Sequence, residues 1–303
     1  MKLYLTTLLL ISLTVTANAA IFMTNSPDAD AFVRAAAPTL NYGAAGALSV
    51  SGPNGTNSSG VTNGAFDSFI RFNTGAMVSN FNAAFGTNNW VITSATLNLT
   101  ENANPGNAIF NIGTGAFEIR WIANDNWTEG TGSPMATVTN GITYSEEPSL
   151  LNSNTDVNLG IFTNAGNAKL SCALPLPTAF VTNMQAGGEV GLFMTAIDSA
   201  VGYVFYSINF AGNASSHPAL VVSAVAQPGL TGTTLAGPNL LLSATNGVAG
   251  GTYYVLTSTN LTSPPSQWTP VATNVLAASG NFAITVTNGV NTKAQNFFIL
   301  QTQ

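Results

Sequence analysis

Cysteine is almost missing from this chain: Cys172 stands alone among 303 residues. One thiol closes no intramolecular disulfide, so stability has to come from apolar cores or bound ions. Histidine also occurs once, as His217. One of each is too few for a zinc site. A Ser-His-Asp system would need His217 oriented by a carboxylate beside an activated serine, and the chain has no G-x-S-x-G elbow and no phosphate-binding P-loop. Charge is equally scarce, with six basic and twelve acidic residues and a net charge of −6. That balance excludes nucleic acid, whose phosphates need a basic patch. The polar surface is built instead from Asn, Thr, Ser and Gly, a composition that suits neutral glycans and equally a plain extracellular spacer.

Long apolar runs are absent apart from the start, where Lys2 precedes "LYLTTLLLISLTV" and then Ala17-Asn18-Ala19. The run is shorter than the ~20 residues that span a bilayer, and small-x-small follows it. Residues 1–19 read as a secretory signal peptide cleaved after Ala19, which predicts an extracellular or cell-surface protein with no membrane span in the mature chain.

What the sequence has in quantity is alternation. "AFVRA", "SFIRFNT", "ATLNLT", "FEIRW", "EVGLFMTA", "GYVFYSI" and "ALVVSAV" repeat with period two. This predicts half-buried strands of an all-β, antiparallel, jelly-roll-like sandwich. Thr-Asn-Gly recurs at Thr62, Thr139, Thr245 and Thr287, a tripeptide that supports the positive φ of tight turns. The one expected helix is "GAMVSNFNAAFG", where Met77, Phe81 and Phe85 make one apolar stripe. Strands pause in the Gly/Pro/Thr-rich "VSAVAQPGLTGTTLAGP" and resume at "NLLLSA". This predicts a domain over 20–226, a linker, and a small β domain over 227–303.

Two acidic constellations invite chemistry. In "IANDNWTEGTGSP", Asp125 and Glu129 flank Trp127, the residue types of a glycosidase acid/base pair. Such carboxylates, however, stand ~5 to 9.5 Å apart across a rigid cleft, and here both belong to one Gly-rich loop. "NSPDAD" offers Asp28 and Asp30 one residue apart, the place where a structural calcium would sit if one binds. Solvated or backbone-capping acids are the competing reading, and no other cofactor is expected.

Read in order, "DAFVR", "NYGAAGALSV", "DSFIRFNTG", "ITSATLNLT", Trp127-Thr128-Glu129, "GITYSEEPSL" and "YVFYSINFAGNASSHPALVV" resemble the DNRLRE family over roughly residues 21–225. These are extracellular β-sandwich domains grouped with carbohydrate-binding modules, some of which bind alginate. The resemblance implies a secreted, non-catalytic module that binds a polysaccharide, with Trp127 packing its loop onto the sandwich edge. The closing "YSINF" lacks the Ser-Lys/Arg-Glu found there in many members. The C-terminal segment resembles a small β module common at the ends of secreted bacterial proteins. Arg34 shares a predicted face with Phe32, and Arg71 with Phe69. If the two strands are neighbours with these faces to solvent, the four residues form an Arg-plus-aromatic strip suited to an acidic glycan. The alternative is that each Arg pairs with an acid such as Asp67 or Glu118. At the level of function, the competing reading is a structural or adhesive extracellular protein without a defined glycan ligand.

Overall fold

A computed structural model describes residues 20–57, 59–102, 113–164, 169–247, 250–277, 280–289 and 296–302. The signal-peptide reading of residues 1–19 lies outside them. The chain divides into two compact units. One comprises Ile21–Gly86 with Ile92–Ala224, and the other Val225–Gln303 with Thr87–Val91.

The larger unit is an antiparallel β-sandwich. Its strands run β1 (Ile21–Asn25), β2 (Ala29–Arg34), β3 (Ala47–Ser51), β4 (Phe66–Asn73), β5 (Trp90–Thr100), β6 (Ala116–Ile122), β7 (Val157–Thr163), β8 (Lys169–Leu174), β9 (Glu189–Ala196), β10 (Gly202–Tyr206) and β11 (Ala219–Ala226). One sheet has the order β1-β11-β5-β8. The other has the order β10-β3-β4-β9-β6-β7, with β2 also paired to β4. All seven alternating segments read from the sequence are strands here. Helix α1 (Gly75–Phe85) buries Met77 and Phe81, the stripe its spacing predicts. Two further helices were not predicted: the single turn α2 (Glu147–Leu150), and α3 (Thr178–Ala186), which buries Phe180 and Met184. In α3 the preceding prolines and the β-branched Thr178, Val181 and Thr182 mask a four-residue apolar spacing.

The register of the seven-stranded sheet decides what can share a face. β2 pairs with β4 so that Phe32 lies opposite Ser68 and Ala31 opposite Phe69. Directly opposed residues project to the same side. Even-numbered residues of both strands therefore share one face, and odd-numbered residues share the other. The even face, with Phe32, Phe66, Ile70 and Phe72, is fully buried. The odd face, with Ala31, Val33, Asp67 and Phe69, is buried as well, because residues 123–151 fold across it. Trp127, Ile142 and Leu150 of that flap join Ala29, Ala31, Val33, Phe69, Ile122 and Phe193 in one apolar cluster. Burying aromatic and aliphatic side chains of this size contributes roughly 1.5–3 kcal/mol each.

The smaller unit is a sandwich of two three-stranded sheets. Its strands are β12 (Gly229–Ala236), β13 (Asn239–Gly247), β14 (Thr252–Ser258), β15 (Thr269–Val275), β16 (Gly280–Val286) and β17 (Phe297–Thr302). The sheet orders are β12-β13-β16 and β15-β14-β17. Leu240, Leu242, Tyr253, Val255, Leu276, Ile284 and Val286 form its core. The expected linker is corrected here, because most of it is strand β12. Beyond its first residue β12 is exposed throughout. An edge strand with no apolar face has no alternation to reveal it, and its β-branched threonines supply strand propensity instead. The four Thr-Asn-Gly sites place either Asn246 and Asn288 or Gly64 and Gly141 at positive φ.

Candidate functional site

The proposed Arg-plus-aromatic strip does not exist. β2 and β4 are neighbours, but their register puts Phe32 and Arg34 on one face and Phe69 and Arg71 on the other. Neither aromatic ring reaches solvent, as both side chains are 0% exposed. Phe32 stacks on Tyr42 with ring centroids 4.6 Å apart. Phe69 packs between Trp127 at 5.7 Å and Phe193 at 5.0 Å. The Arg34 guanidinium lies over the Phe66 ring at 5.4 Å and donates to the Asn63 side chain. Sequence reasoning missed the second cover on this sheet: β4 is buried at six of its eight positions, the pattern of a strand covered on both faces.

Arg71 is the fastener of the flap. Its Nε and Nη2 each donate to Asp28 Oδ2 at 3.0 Å. Nη1 donates to the Trp127 carbonyl at 2.9 Å and to the Asp125 carbonyl at 3.3 Å. Glu189 stands 3.3 Å from Nε, and the guanidinium covers the Trp127 ring at 5.3 Å. Its partners are thus Asp28 and Glu189, not the Asp67 or Glu118 considered from sequence. Glu118 binds Arg120 instead.

The second fastener is Asn41, with no solvent exposure. Its Nδ2 donates to the carbonyls of Glu129 at 2.7 Å and Ile142 at 2.9 Å, and its Oδ1 accepts from the N–H of Gly43 at 3.1 Å and Gly132 at 2.9 Å. The side chain's hydrogen-bonding capacity is filled. The backbones crowd so closely that a Cβ on Gly132 would lie 2.0 Å from the Asn41 carbonyl oxygen. "NYG", Trp127-Thr128-Glu129 and "GITY", far apart in sequence, therefore meet in one loop knot.

The acidic candidates are absorbed into the same knot. Glu129 Oε1 accepts from the Asp30 N–H at 3.2 Å and from Asn209 Nδ2 at 2.6 Å. Burial pushes its carboxyl, and that of Asp125, above the ordinary range. Asp30 is fully buried, and its Oδ2 accepts from the Ile208 N–H at 2.8 Å. Burial raises Asp30 to about 7, with the nearby Glu129 charge adding to the effect and the Ile208 N–H opposing it. Its Oδ1 has no hydrogen-bond partner, so no donor on that oxygen offsets the cost of ionising it. Calcium needs six to eight oxygens. Asp28 is held by Arg71 and Asp30 by the 207–208 backbone turn, so the two do not form a common cradle. Among the described residues no group of three or more His, Cys, Asp or Glu could hold a metal.

Cys172 is buried opposite Leu97, and burial pushes its thiol up to about 12. His217 Nε2 lies 3.1 Å from the Phe210 carbonyl, a contact to backbone and not to a carboxylate.

One open cleft, of about 270 Å³, lies within the flap and is lined by Asn126, Trp127, Thr128, Gly141, Ile142, Glu146, Ser149 and Leu150. It offers an amide, two hydroxyls and a carboxylate beside the edge of a largely buried indole. Glu146 is the one charged residue in the lining; its Oε2 accepts from the Thr143 N–H and hydroxyl, both at 3.0 Å. No feature of the sequence singled out this group, because its members come from both arms of a 29-residue flap. Asp125 and Glu129 are not among them.

No family model matches the chain, and no curated protein matches it. Among solved structures, a Macrobrachium rosenbergii nodavirus structure aligns at 8% identity and a TM-score of 0.23, over 100% of this chain and 96% of that one. A β-1,2-glucanase from Parabacteroides distasonis aligns at 12% identity and a TM-score of 0.18, over 95% of this chain and 35% of that one. Likenesses this distant carry no argument about activity, and the chain's family is not identified by them.

Proposed function

We propose that the larger unit is a non-catalytic carbohydrate-binding module of a secreted protein, and that it holds an uncharged stretch of polysaccharide in the flap cleft. The observation that carries this reading is the lining itself: hydroxyls and an amide around an aromatic edge, with a carboxylate and no basic group. Arg34, Arg71 and Arg120 are all committed to partners within the fold, so a uronate would meet Glu146 unopposed. The resemblance to carbohydrate-binding domains supports the class of ligand. The residues that resembled a catalytic pair, Asp125 and Glu129, lie outside the cleft, and Glu129 is tied to Asp30 and Asn209. The expected partner thus changes from an acidic to a neutral glycan.

Calorimetry with neutral glucans, alginate and pectin tests the proposal. Binding confined to neutral polymers, weak and insensitive to salt, is the expected result. Binding only to the acidic polymers would overturn it, as would turnover of any of them that disappears in an Asp125→Ala or Glu129→Ala variant.

A structural or adhesive role has one observation in its favour. The β12 edge of the smaller unit is exposed and carries Leu230 and Leu235, 44% and 63% exposed. Unpaired edges of this kind are where other chains add strands. Failure to bind any glycan would favour that role.

A further inference from the structure

We propose that the edge of β12 is a self-association surface, on which two copies of this chain pair antiparallel, β12 against β12, into a closed dimer. Among the described strands β12 pairs only with β13 and so ends its sheet. At eight residues it is the longest of the described strands that stand at a sheet edge. After Gly229 every residue of the strand is exposed. Edges are ordinarily blunted by charge, proline or a bulge. At other sheet edges β8 carries Lys169 and β15 carries Pro270. β12, "GLTGTTLA", has neither charge nor proline. Its one irregularity falls between Leu230 and Gly232, which leaves Gly232 to Ala236 in regular register.

The core stops one strand short of this edge. Leu230 lies opposite Ala244, Thr233 opposite Leu242 and Leu235 opposite Leu240. Opposed residues project to the same side, and Ala244, Leu242 and Leu240 are buried, the two leucines within the core of the unit. Leu230, Thr233 and Leu235 therefore lie on the core side of the sheet, yet Leu230 is 44% and Leu235 63% exposed. A strand added here satisfies the edge backbone and brings apolar side chains against these leucines.

Charge favours a second copy of the same strand. Residues 20–226 hold all twelve acids and four of the six bases, a balance of −8, whereas residues 227–303 hold one charged residue, Lys293. Two copies repel wherever their larger units meet, and the smaller units carry nothing comparable to oppose contact. The strand also complements itself. With a two-fold axis at Thr234, Leu235 of each copy stands opposite Thr233 of the other and diagonal to the other Leu235, within reach across the strands. Such an isologous pair occupies both β12 edges, so assembly closes at two. At the opposite end of the same sheet, β16 packs against β15. A dimer would carry two clefts, so weak contacts to one polysaccharide would act together. That consequence rests on the glycan reading, whereas the pairing does not.

Sedimentation equilibrium of the full-length protein tests the pairing with no ligand present. The mass should rise with concentration from that of one chain to that of two and no further. Leu235→Lys should raise the midpoint of this transition at least about tenfold, since each copy loses a covered leucine and gains a charge near its like. Leu261→Lys, at a leucine of the same unit that lies outside β12 and is 65% exposed, should leave the midpoint unchanged. Hydrogen exchange supplies a second reading: the outward amides among residues 232–236 should gain protection as wild-type concentration rises. That reading decides alone should Leu235→Lys fail to fold. A single-chain mass at every concentration overturns the proposal. So does a dimer unaffected by Leu235→Lys, or one whose 232–236 amides gain no protection. A monomer that binds neutral glucans removes the pairing and leaves the glycan reading standing; a β12 dimer that binds none does the reverse.

Discussion

The guanidinium of Arg71 covers the ring of Trp127 at 5.3 Å and donates to that residue's own carbonyl at 2.9 Å. Side chain and backbone of one loop residue are thus held by one cation. The loop needs this because it has almost no regular structure of its own, and a buried carbonyl without a donor costs free energy.

Arg71→Ala should therefore destabilise the protein by about 2–4 kcal/mol, far more than removal of an ordinary surface charge, because it strips donors from two loop carbonyls and from Asp28. Arg71→Lys should recover only part of the loss, since an ammonium cannot reproduce the planar fork. Urea denaturation of the three proteins gives the comparison, and equal midpoints would show that the fastening is illusory.

Asn41→Ala should cost about as much, roughly 2–4 kcal/mol, as it leaves the carbonyls of Glu129 and Ile142 and two N–H groups without partners. Gly132→Ala should be at least as damaging, because its Cβ would meet backbone 2.0 Å away. In both variants the thermal midpoint should drop. Proteolysis should cut first within residues 123–151.

Stability should fall as the pH is raised from about 4 to about 7. Asp30 is held at about 7 in the folded protein against an ordinary 3.8. The native state then binds more protons than the unfolded chain across that interval, so the stability Asp30 confers is complete below about 4 and lost at up to about 1.4 kcal/mol per pH unit up to about 7. Thermal midpoints measured at both ends of the window should show the decline, and Asp30→Asn should flatten it. A midpoint that instead rises with pH would contradict a protonated Asp30.

Binding to a neutral glycan should weaken in Asn126→Ala and Ser149→Ala, each by about 0.5–1.5 kcal/mol, or up to about tenfold. The folded stability of both variants should match wild type. Glu146→Gln should leave neutral binding in place and reduce discrimination against uronates. Unchanged binding in all three would move the site away from this cleft.

The sandwich was legible because alternation survives in strands such as β5, which carries Thr96, Asn98 and Thr100 on one side. The double burial of the seven-stranded sheet was not legible, for a related reason. In β2 and β4 both faces are buried, so alternation between Phe32 and Arg34 or Phe69 and Arg71 no longer distinguishes inside from outside. Which residues share a face then depends on register, and register is a property of two strands together. Asp28 and Asp30 show the same limit, since adjacency in sequence did not reveal that one acid answers Arg71 and the other the backbone at Ile208. The motifs that carried the family resemblance did converge in space. Asn41, Trp127 and Glu129 converge to hold a loop, and the cleft they frame is lined largely by less conspicuous neighbours.

Cys172 has a practical consequence of its own. It is the chain's sole thiol, fully covered between β5 and β8, and protonated at any pH the folded protein would meet. A maleimide or disulfide reagent can reach it only when that part of the sheet comes apart. The native protein thus carries a built-in clock for its own opening, read by mass alone, and any cysteine engineered onto the surface would be labelled without competition from it.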